Sequence, residues 1–192
     1  MNIHIHRILQ GSCANGPGIR NVVWFQGCTL SCPGCFNPLT HDPQGGQTRT
    51  VPAVSQMLLD PSAPCDGITI SGGEPFLQTA ALYALLKDLR EKHSPPILIF
   101  SGYSRKELFS DPARSACLRL ADALICGPYR KELPAAYERF CSSANQELVL
   151  LSDRYNKEDF SGLPLSEIII APDGTAVFSG ISVPDENPYF LR

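Results

Sequence analysis

The chain has little of what several large protein classes require. None of its apolar runs approaches the roughly 20 residues that a membrane-crossing helix needs, so no span is expected. The opening stretch, MNIHIHRILQGS, has neither an apolar h-region nor a small-residue cleavage site, and a cytoplasmic location is the expectation. Basic residues are in no excess: 16 Lys and Arg stand against 19 Asp and Glu, a formal net charge of -3. That balance gives no basic footprint for nucleic acid. The basic residues from Arg105 to Lys131 (Arg105, Lys106, Arg114, Arg119, Arg130, Lys131) are scattered and read as a solvated face. There is no internal repeat, low-complexity tract or obvious linker, and a length of 192 residues allows one core, so a single domain over residues 1–192 is expected.

What the chain does have is eight cysteines. Thiols in the cytoplasm are kept reduced, so a disulfide framework is not the expectation and metal or catalysis becomes the leading explanation for any cluster of them. Three fall in GCTLSCPGCFN: Cys28 and Cys32 are separated by three residues, Cys32 and Cys35 by two, and no fourth follows nearby.

Four chemistries compete for these thiols. Structural zinc takes four ligands, which distant Cys13 or Cys65 would have to complete. A plant-type two-iron centre has four residues between its first two cysteines, where this stretch has three. Buried structural thiols are the bland alternative, but a Gly- and Pro-rich loop directly after a strand is a poor way to fill a core. The fourth reading is a four-iron cluster held by three thiolates, with one iron left open to a substrate or cofactor, much as catalytic zinc keeps an open position.

The surrounding pattern alternates strand and helix. GITIS (Gly67 to Ser71), PILIF (Pro96 to Phe100), DALIC (Asp122 to Cys126) and ELVLL (Glu147 to Leu151) are short apolar runs that read as buried strands, and NVVWF reads as an earlier one. Leu82, Leu85, Leu86 and Leu89 share one helical face in QTAALYALLKDLREKH. Helices are also predicted in VPAVSQMLLD, with Pro52 in its first turn, and in DPARSACLRLA, capped by Asp111 with Pro112 next. This order predicts an α/β fold with a mainly parallel sheet and ligand sites at the strands' carboxyl ends. EIIIAPDGTAVFSG predicts an appended hairpin turning at Asp173 and Gly174.

The spacing C-x3-C-x2-C, written CTLSCPGC, resembles the cluster motif of the radical S-adenosylmethionine enzymes. NGPGIR (Asn15 to Arg20), CPGCFN, SGGEP (Ser71 to Pro75), FSGY (Phe100 to Tyr103) and SSANQ (Ser142 to Gln146) resemble, in order, blocks of the anaerobic (class III) ribonucleotide reductase activating proteins and related glycyl-radical activating enzymes. The likeness covers most of residues 15–150, the core, leaving 165–192 as C-terminal hairpin and tail.

The resemblance implies an incomplete parallel β/α barrel carrying one 4Fe-4S cluster on Cys28, Cys32 and Cys35. It also implies S-adenosylmethionine bound at the open iron and split to a 5'-deoxyadenosyl radical. The substrate it implies is a glycine of a partner glycyl-radical enzyme, with electrons from a flavodoxin-like protein. Cofactor contacts carried over are Gly72, Gly73 and Glu74 beside the methionine amino group, Gly34, Cys35 and Phe36 at the adenosine, and Ser101, Gly102 and Gly127 after their strands at ribose and adenine. No side chain is implied to be catalytic beyond the cluster and nucleotide.

Read alone, SGGEP is also a tight strand-to-helix turn, Phe36 a core aromatic, and Ser101 ordinary turn chemistry. Asn15 and Arg20 read as holding the cluster loop, contacting a partner, or simply completing a turn. Cys13, Cys65, Cys117, Cys126 and Cys141, with His4, His6, His41 and His93, form no ligand pattern and are expected to be structural or surface residues. Two other functions stay open: a small radical enzyme acting on a peptide or metabolite, and an iron-sulfur electron carrier.

Overall fold

The computed structural model describes residues 1–170 and 174–181. Its centre is a seven-stranded sheet built from β1 (Asn2–Ser12), β2 (Arg20–Phe25), β3 (Gln47–Thr50), β4 (Gly67–Gly72), β5 (Ile97–Ser101), β6 (Ala123–Cys126) and β7 (Glu147–Leu150), in the order β3-β1-β2-β4-β5-β6-β7. Among the described residues four α-helices accompany it: α1 (Val51–Leu58), α2 (Thr79–Glu91), α3 (Arg105–Ser110) and α4 (Pro112–Leu118). A separate antiparallel pair, β8 (Ser166–Ile170) and β9 (Ala176–Gly180), follows. Of the predicted hairpin turn, Asp173 lies outside the described residues, as does the tail from residue 182 onward.

The expected parallel arrangement holds for the four central strands: β2, β4, β5 and β6 pair parallel to one another. The edges differ. β1 runs antiparallel to both β2 and β3, and β7, expected within a mainly parallel sheet, runs antiparallel to β6. The reason lies in the connections. α2 carries the chain from β4 to β5, and α3 and α4 carry it from β5 to β6, each long enough to return to the same end of the sheet. No α-helix lies between β6 and β7, and the chain re-enters from the end at which it left.

Side-chain alternation divides the core in two. Ile97 and Ile99 of β5 face the helices, packing with Leu82, Leu85, Leu86 and Leu89 of α2 and with Val54 and Leu58 of α1. Leu98, with Ala123 and Ile125 of β6, faces the opposite side and packs on Phe140, Phe160 and Ile181. That second face is covered by irregular chain and the hairpin. The helix starts follow their sequence signals: Thr50 caps α1 through Ala53 N, and Asp111 caps α4 through Ala113 and Arg114 N, with Pro112 in the first turn. Ser104 and Glu107 close a reciprocal capping box on α3.

The hairpin is tied to the start of the chain. Glu167 accepts from Ser12 Oγ and from Cys13 N (2.8 Å), Asn15 Nδ2 donates to Ser179 Oγ (2.6 Å), and Arg7 donates to Phe178 O (3.3 Å). Among the described residues no helix is long and apolar enough to cross a membrane.

Candidate active site

In the register of the central strands, Phe25 lies opposite Gly72 and Ser101 opposite Cys126, so neighbouring strands end level and their loops emerge side by side. One cleft opens where they do. It is lined by Cys28, Cys32, Cys35 and Phe36 from the loop after β2, Gly72 and Gly73 after β4, Ser101 and Gly102 after β5, and Gly127 and Tyr129 after β6.

The cysteine loop is pinched at its neck. Gly27 N donates to Thr40 O (2.8 Å) and Cys28 N to His41 O (3.1 Å). Gln26 Nε2 reinforces this closure by donating to Leu39 O (3.0 Å) and Asp42 O (2.6 Å). Between the last two cysteines, Cys35 N donates to Cys32 O (3.1 Å) around Pro33 and Gly34, whose φ is +72°. Proline followed by a positive-φ glycine is the chemistry of a type II turn. Gly34 itself faces away from the cleft, toward the Lys131 side chain.

The thiols are crowded. Burial chiefly, and then Glu74 and Cys32, push the Cys28 thiol up, while the N–H groups of Leu30 and Ser31 pull it down. Burial likewise pushes up Cys35, aided by Cys32 and Cys28, against the N–H of Asn37, which lies 3.4 Å from its Sγ. Three thiolates this close need cationic compensation, and backbone donors already point at two of them; that donor set fits an iron-sulfur cluster. Among the described residues no three His, Cys, Asp or Glu side chains are placed to share one ion. In a cluster each thiolate binds its own iron, so the three thiols need not converge on a point. Cys13 and Cys65, the candidate fourth zinc ligands, do not line the cleft.

The two glycines after β4 are required by the cysteine loop itself. Gly73 N donates to Phe25 O and Glu74 N to Gly27 O, both at 2.9 Å. A Cβ on Gly72 would lie 2.2 Å from Phe25 N, and one on Gly73 would lie 2.3 Å from Gly27 O. Their backbone thus both reaches the cleft and lets the neighbouring loop seat against it.

Glu74 is fully buried and is not part of the lining. Its carboxylate accepts from Phe76 N (3.0 Å), Ser101 Oγ (3.0 Å) and Gly102 N (2.8 Å), bracing the turn after β4 against the turn after β5. Burial above all pushes its pKa up to about 7, while the Phe76 and Gly102 N–H groups, the Ser101 hydroxyl and Arg114 pull it down.

Beyond β5 the bracing continues. Gly127, at φ +116°, donates its N–H to Ser101 O (3.1 Å) and Tyr103 O (2.8 Å), and Gln146 Nε2 donates to Gly127 O (3.1 Å). The cleft also takes in residues to which the motifs gave no role. Tyr129 places its ring 4.7 Å from that of Phe36, His41 and Asn37 join the lining, and Gly180 and Ile181 bring the end of the hairpin to the cleft. Tyr129 has no signal in sequence beyond being an aromatic shortly after a strand. The hairpin's arrival depends on long-range hydrogen bonds that no local pattern announces.

Asn15 and Arg20 are both held inside the protein. Asn15 bonds Ser12 and Ser179 and also lines the cleft. Arg20, wholly buried, donates to Thr69 Oγ1 (3.0 Å), Tyr155 OH (2.6 Å), Ile68 O (2.5 Å) and Pro17 O (3.2 Å), which anchors the segment leading into β2. Cys117, Cys126 and Cys141 are buried thiols in the two cores.

Residues 14–149 match the family model described as a 4Fe-4S single cluster domain. An anaerobic ribonucleoside-triphosphate reductase-activating protein of Enterobacteria phage T4 is 31% identical over 157 residues, covering 80% of this chain and 97% of the phage protein. Its counterpart from Escherichia coli K12 is 28% identical over 150 residues, covering 75% and 96%. A pyruvate formate-lyase-activating enzyme of Clostridium pasteurianum is 39% identical over 103 residues, which are 52% of this chain and 43% of that enzyme. The chain thus spans under half the length of the Clostridium relative and nearly all of the phage one.

Proposed function

The chain belongs to the 4Fe-4S single cluster domain family, among the radical S-adenosylmethionine activating enzymes, and from that membership we propose that it installs a glycyl radical on a partner enzyme. When bound, the reduced cluster and S-adenosylmethionine supply a 5'-deoxyadenosyl radical, which takes a hydrogen atom from the partner's glycine. The observation that carries this reading is the meeting of three thiols with the carboxyl ends of four parallel strands in one cleft.

Cys28, Cys32 and Cys35 would hold the cluster, three thiolates for four irons. Gly72 and Gly73 offer bare backbone where the methionine end of the nucleotide docks. Phe36 and Tyr129 form an aromatic wall for the adenosine, with Ser101, Gly102 and Gly127 along the same side. Glu74 acts from beneath by fixing the Ser101–Gly102 turn, and Gly34 acts by shaping the loop around Cys32 and Cys35. Trp24, Leu30, Phe100 and Ile181 supply the apolar lining that keeps water from a reactive carbon radical.

The sheet's four parallel strands support the incomplete barrel expected of such enzymes. The hydrogen bonds that Glu167 and Ser179 accept from the N-terminal segment support a single working unit of core and hairpin. A flavodoxin-like protein is the proposed electron donor. The test is anaerobic: the reconstituted, reduced chain is mixed with S-adenosylmethionine and a glycyl-radical enzyme encoded beside it. A doublet from a protein glycyl radical in electron paramagnetic resonance is expected. 5'-Deoxyadenosine without the doublet would transfer the activity to another substrate, and neither product would refute the reading.

A further inference from the structure

Trp24 brings more than apolar surface to the cleft. Side chains alternate along β2: Val23 and Phe25 pack with the helices, and Trp24 points to the other face, where it lines the cleft and is 4% exposed. Its ring is held in place. The Arg7 guanidinium lies 4.6 Å from the ring centroid, and the same arginine donates to Phe178 O (3.3 Å) in the hairpin. The indole N–H has no hydrogen-bond partner among the described residues. His41 Nε2 and Asn145 Oδ1 share that lack, but they are closed to solvent; the Trp24 nitrogen is not one of the closed atoms and keeps open surface.

That nitrogen needs a partner once the cleft is filled. A site that keeps water from a carbon radical also takes water from this donor, so the ligand itself has to supply the acceptor. The nucleotide contacts proposed above come from loops beyond the strand ends, whereas Trp24 lies within β2, level with Ser71 of β4 and tied through Arg7 to the hairpin. A glycine in a protein chain has no side chain by which to be held. Its backbone carbonyl is an acceptor, and an indole N–H only donates. Resting on the glycyl-radical reading above, we propose that the Trp24 N–H donates a hydrogen bond to a backbone carbonyl of the partner's glycine segment and so holds that glycine in the cleft. Trp24 binds substrate in this role and takes no part in the electron or hydrogen transfer.

Trp24 is the chain's one tryptophan, so the donor can be removed without changing the ring's shape, by growth on benzothienylalanine, which carries sulfur in place of the N–H. The experiment compares wild type, the benzothienyl protein and Trp24→Phe, each reconstituted anaerobically and left oxidised. Iron content is measured first, then S-adenosylmethionine affinity, and then, with the nucleotide present, calorimetric affinity for a blocked peptide copied from the partner's radical-glycine segment. The expected result is equal iron, nucleotide affinity within about twofold of wild type, and peptide affinity weakened about fivefold in both altered proteins, the value of one hydrogen bond. Unchanged peptide affinity in the benzothienyl protein would overturn the proposal, even if Trp24→Phe bound weakly, because shape alone would then matter. A matching loss of nucleotide affinity would give the donor to the nucleotide and overturn it too, as would loss of iron from the benzothienyl protein. A wild type that binds the nucleotide but not the peptide, and forms no radical on the whole partner, would instead bring down the functional reading itself.

Discussion

Replacing Gly73 with alanine would place a methyl group 2.3 Å from Gly27 O, 2.7 Å from Gly27 C and 2.9 Å from Thr40 O. All three are backbone atoms at the neck of the cysteine loop, so no side chain can swing aside. Overpacking of this kind costs about 1–3 kcal/mol. The same push strains two hydrogen bonds, Glu74 N to Gly27 O (2.9 Å) and Gly27 N to Thr40 O (2.8 Å), each with a net value of about 1 kcal/mol. The sum is about 3 kcal/mol, which for a chain of this size lowers Tm by about 6–12 °C. Gly102→Ala is the control. Its Cβ would meet Leu30 Cδ1 at 2.3 Å, the far end of a flexible side chain, and an expected cost below about 1 kcal/mol follows from rotation of that leucine. Thermal unfolding and iron uptake are the assays: Gly73→Ala should lose both stability and cluster, Gly102→Ala little of either. Equal behaviour of the two variants would refute the claim that the glycine after β4 is there to seat the cluster loop.

Other outcomes follow from the same geometry. Cys32→Ala should abolish iron uptake while Cys117→Ala keeps it, because burial holds the Cys117 thiol up at about 12, protonated and walled into the helix-side core; elemental analysis of the reconstituted proteins decides. Glu74 has a carboxyl pKa of about 7 when folded, above its unfolded value of 4.5, so its contribution to stability is fully present below pH 4.5 and is lost as pH rises through 7. Urea titrations of the metal-free chain at pH 5 and pH 8 should therefore show wild type losing about 3 kcal/mol more than Glu74→Gln; parallel losses would contradict the assignment. Glu167→Ala removes the acceptor for Ser12 Oγ and Cys13 N, and hydrogen exchange should show faster opening of Ile168–Ile170 with the central strands unchanged.

How much of this was legible in sequence depended on whether the signal was local. The four central strands are buried on both faces, and GITIS, PILIF and DALIC therefore show as plain apolar runs. Asp111 and Pro112 mark the start of α4 through contacts with their own neighbours, and they too read correctly. β3, QTRT, is an exposed edge strand held by its register with Asn2 to Ile5 and has no apolar signature to find. The antiparallel direction of β7 was not legible, because an apolar run does not say from which end the chain enters it.

The site divides in the same way. The three cysteines were legible because ligand spacing is a property of one loop. The long-range partners of Glu74 were not: its carboxylate is engaged by Ser101 and Gly102, 27 and 28 residues further along the chain. Tyr129 and His41 join the cleft only because β6 ends beside β5 and because Cys28 and His41 clasp at the loop's neck.

The central claim is that three thiolates leave one iron open for a nucleotide. The most direct measurement records the electron paramagnetic resonance spectrum of the reduced, reconstituted chain before and after addition of S-adenosylmethionine, with 5'-deoxyadenosine assayed in the same sample. The account predicts a changed cluster spectrum and deoxyadenosine formation, both absent in Cys35→Ala. A spectrum indifferent to the nucleotide with no deoxyadenosine formed, or a purified protein whose metal is zinc, would contradict it.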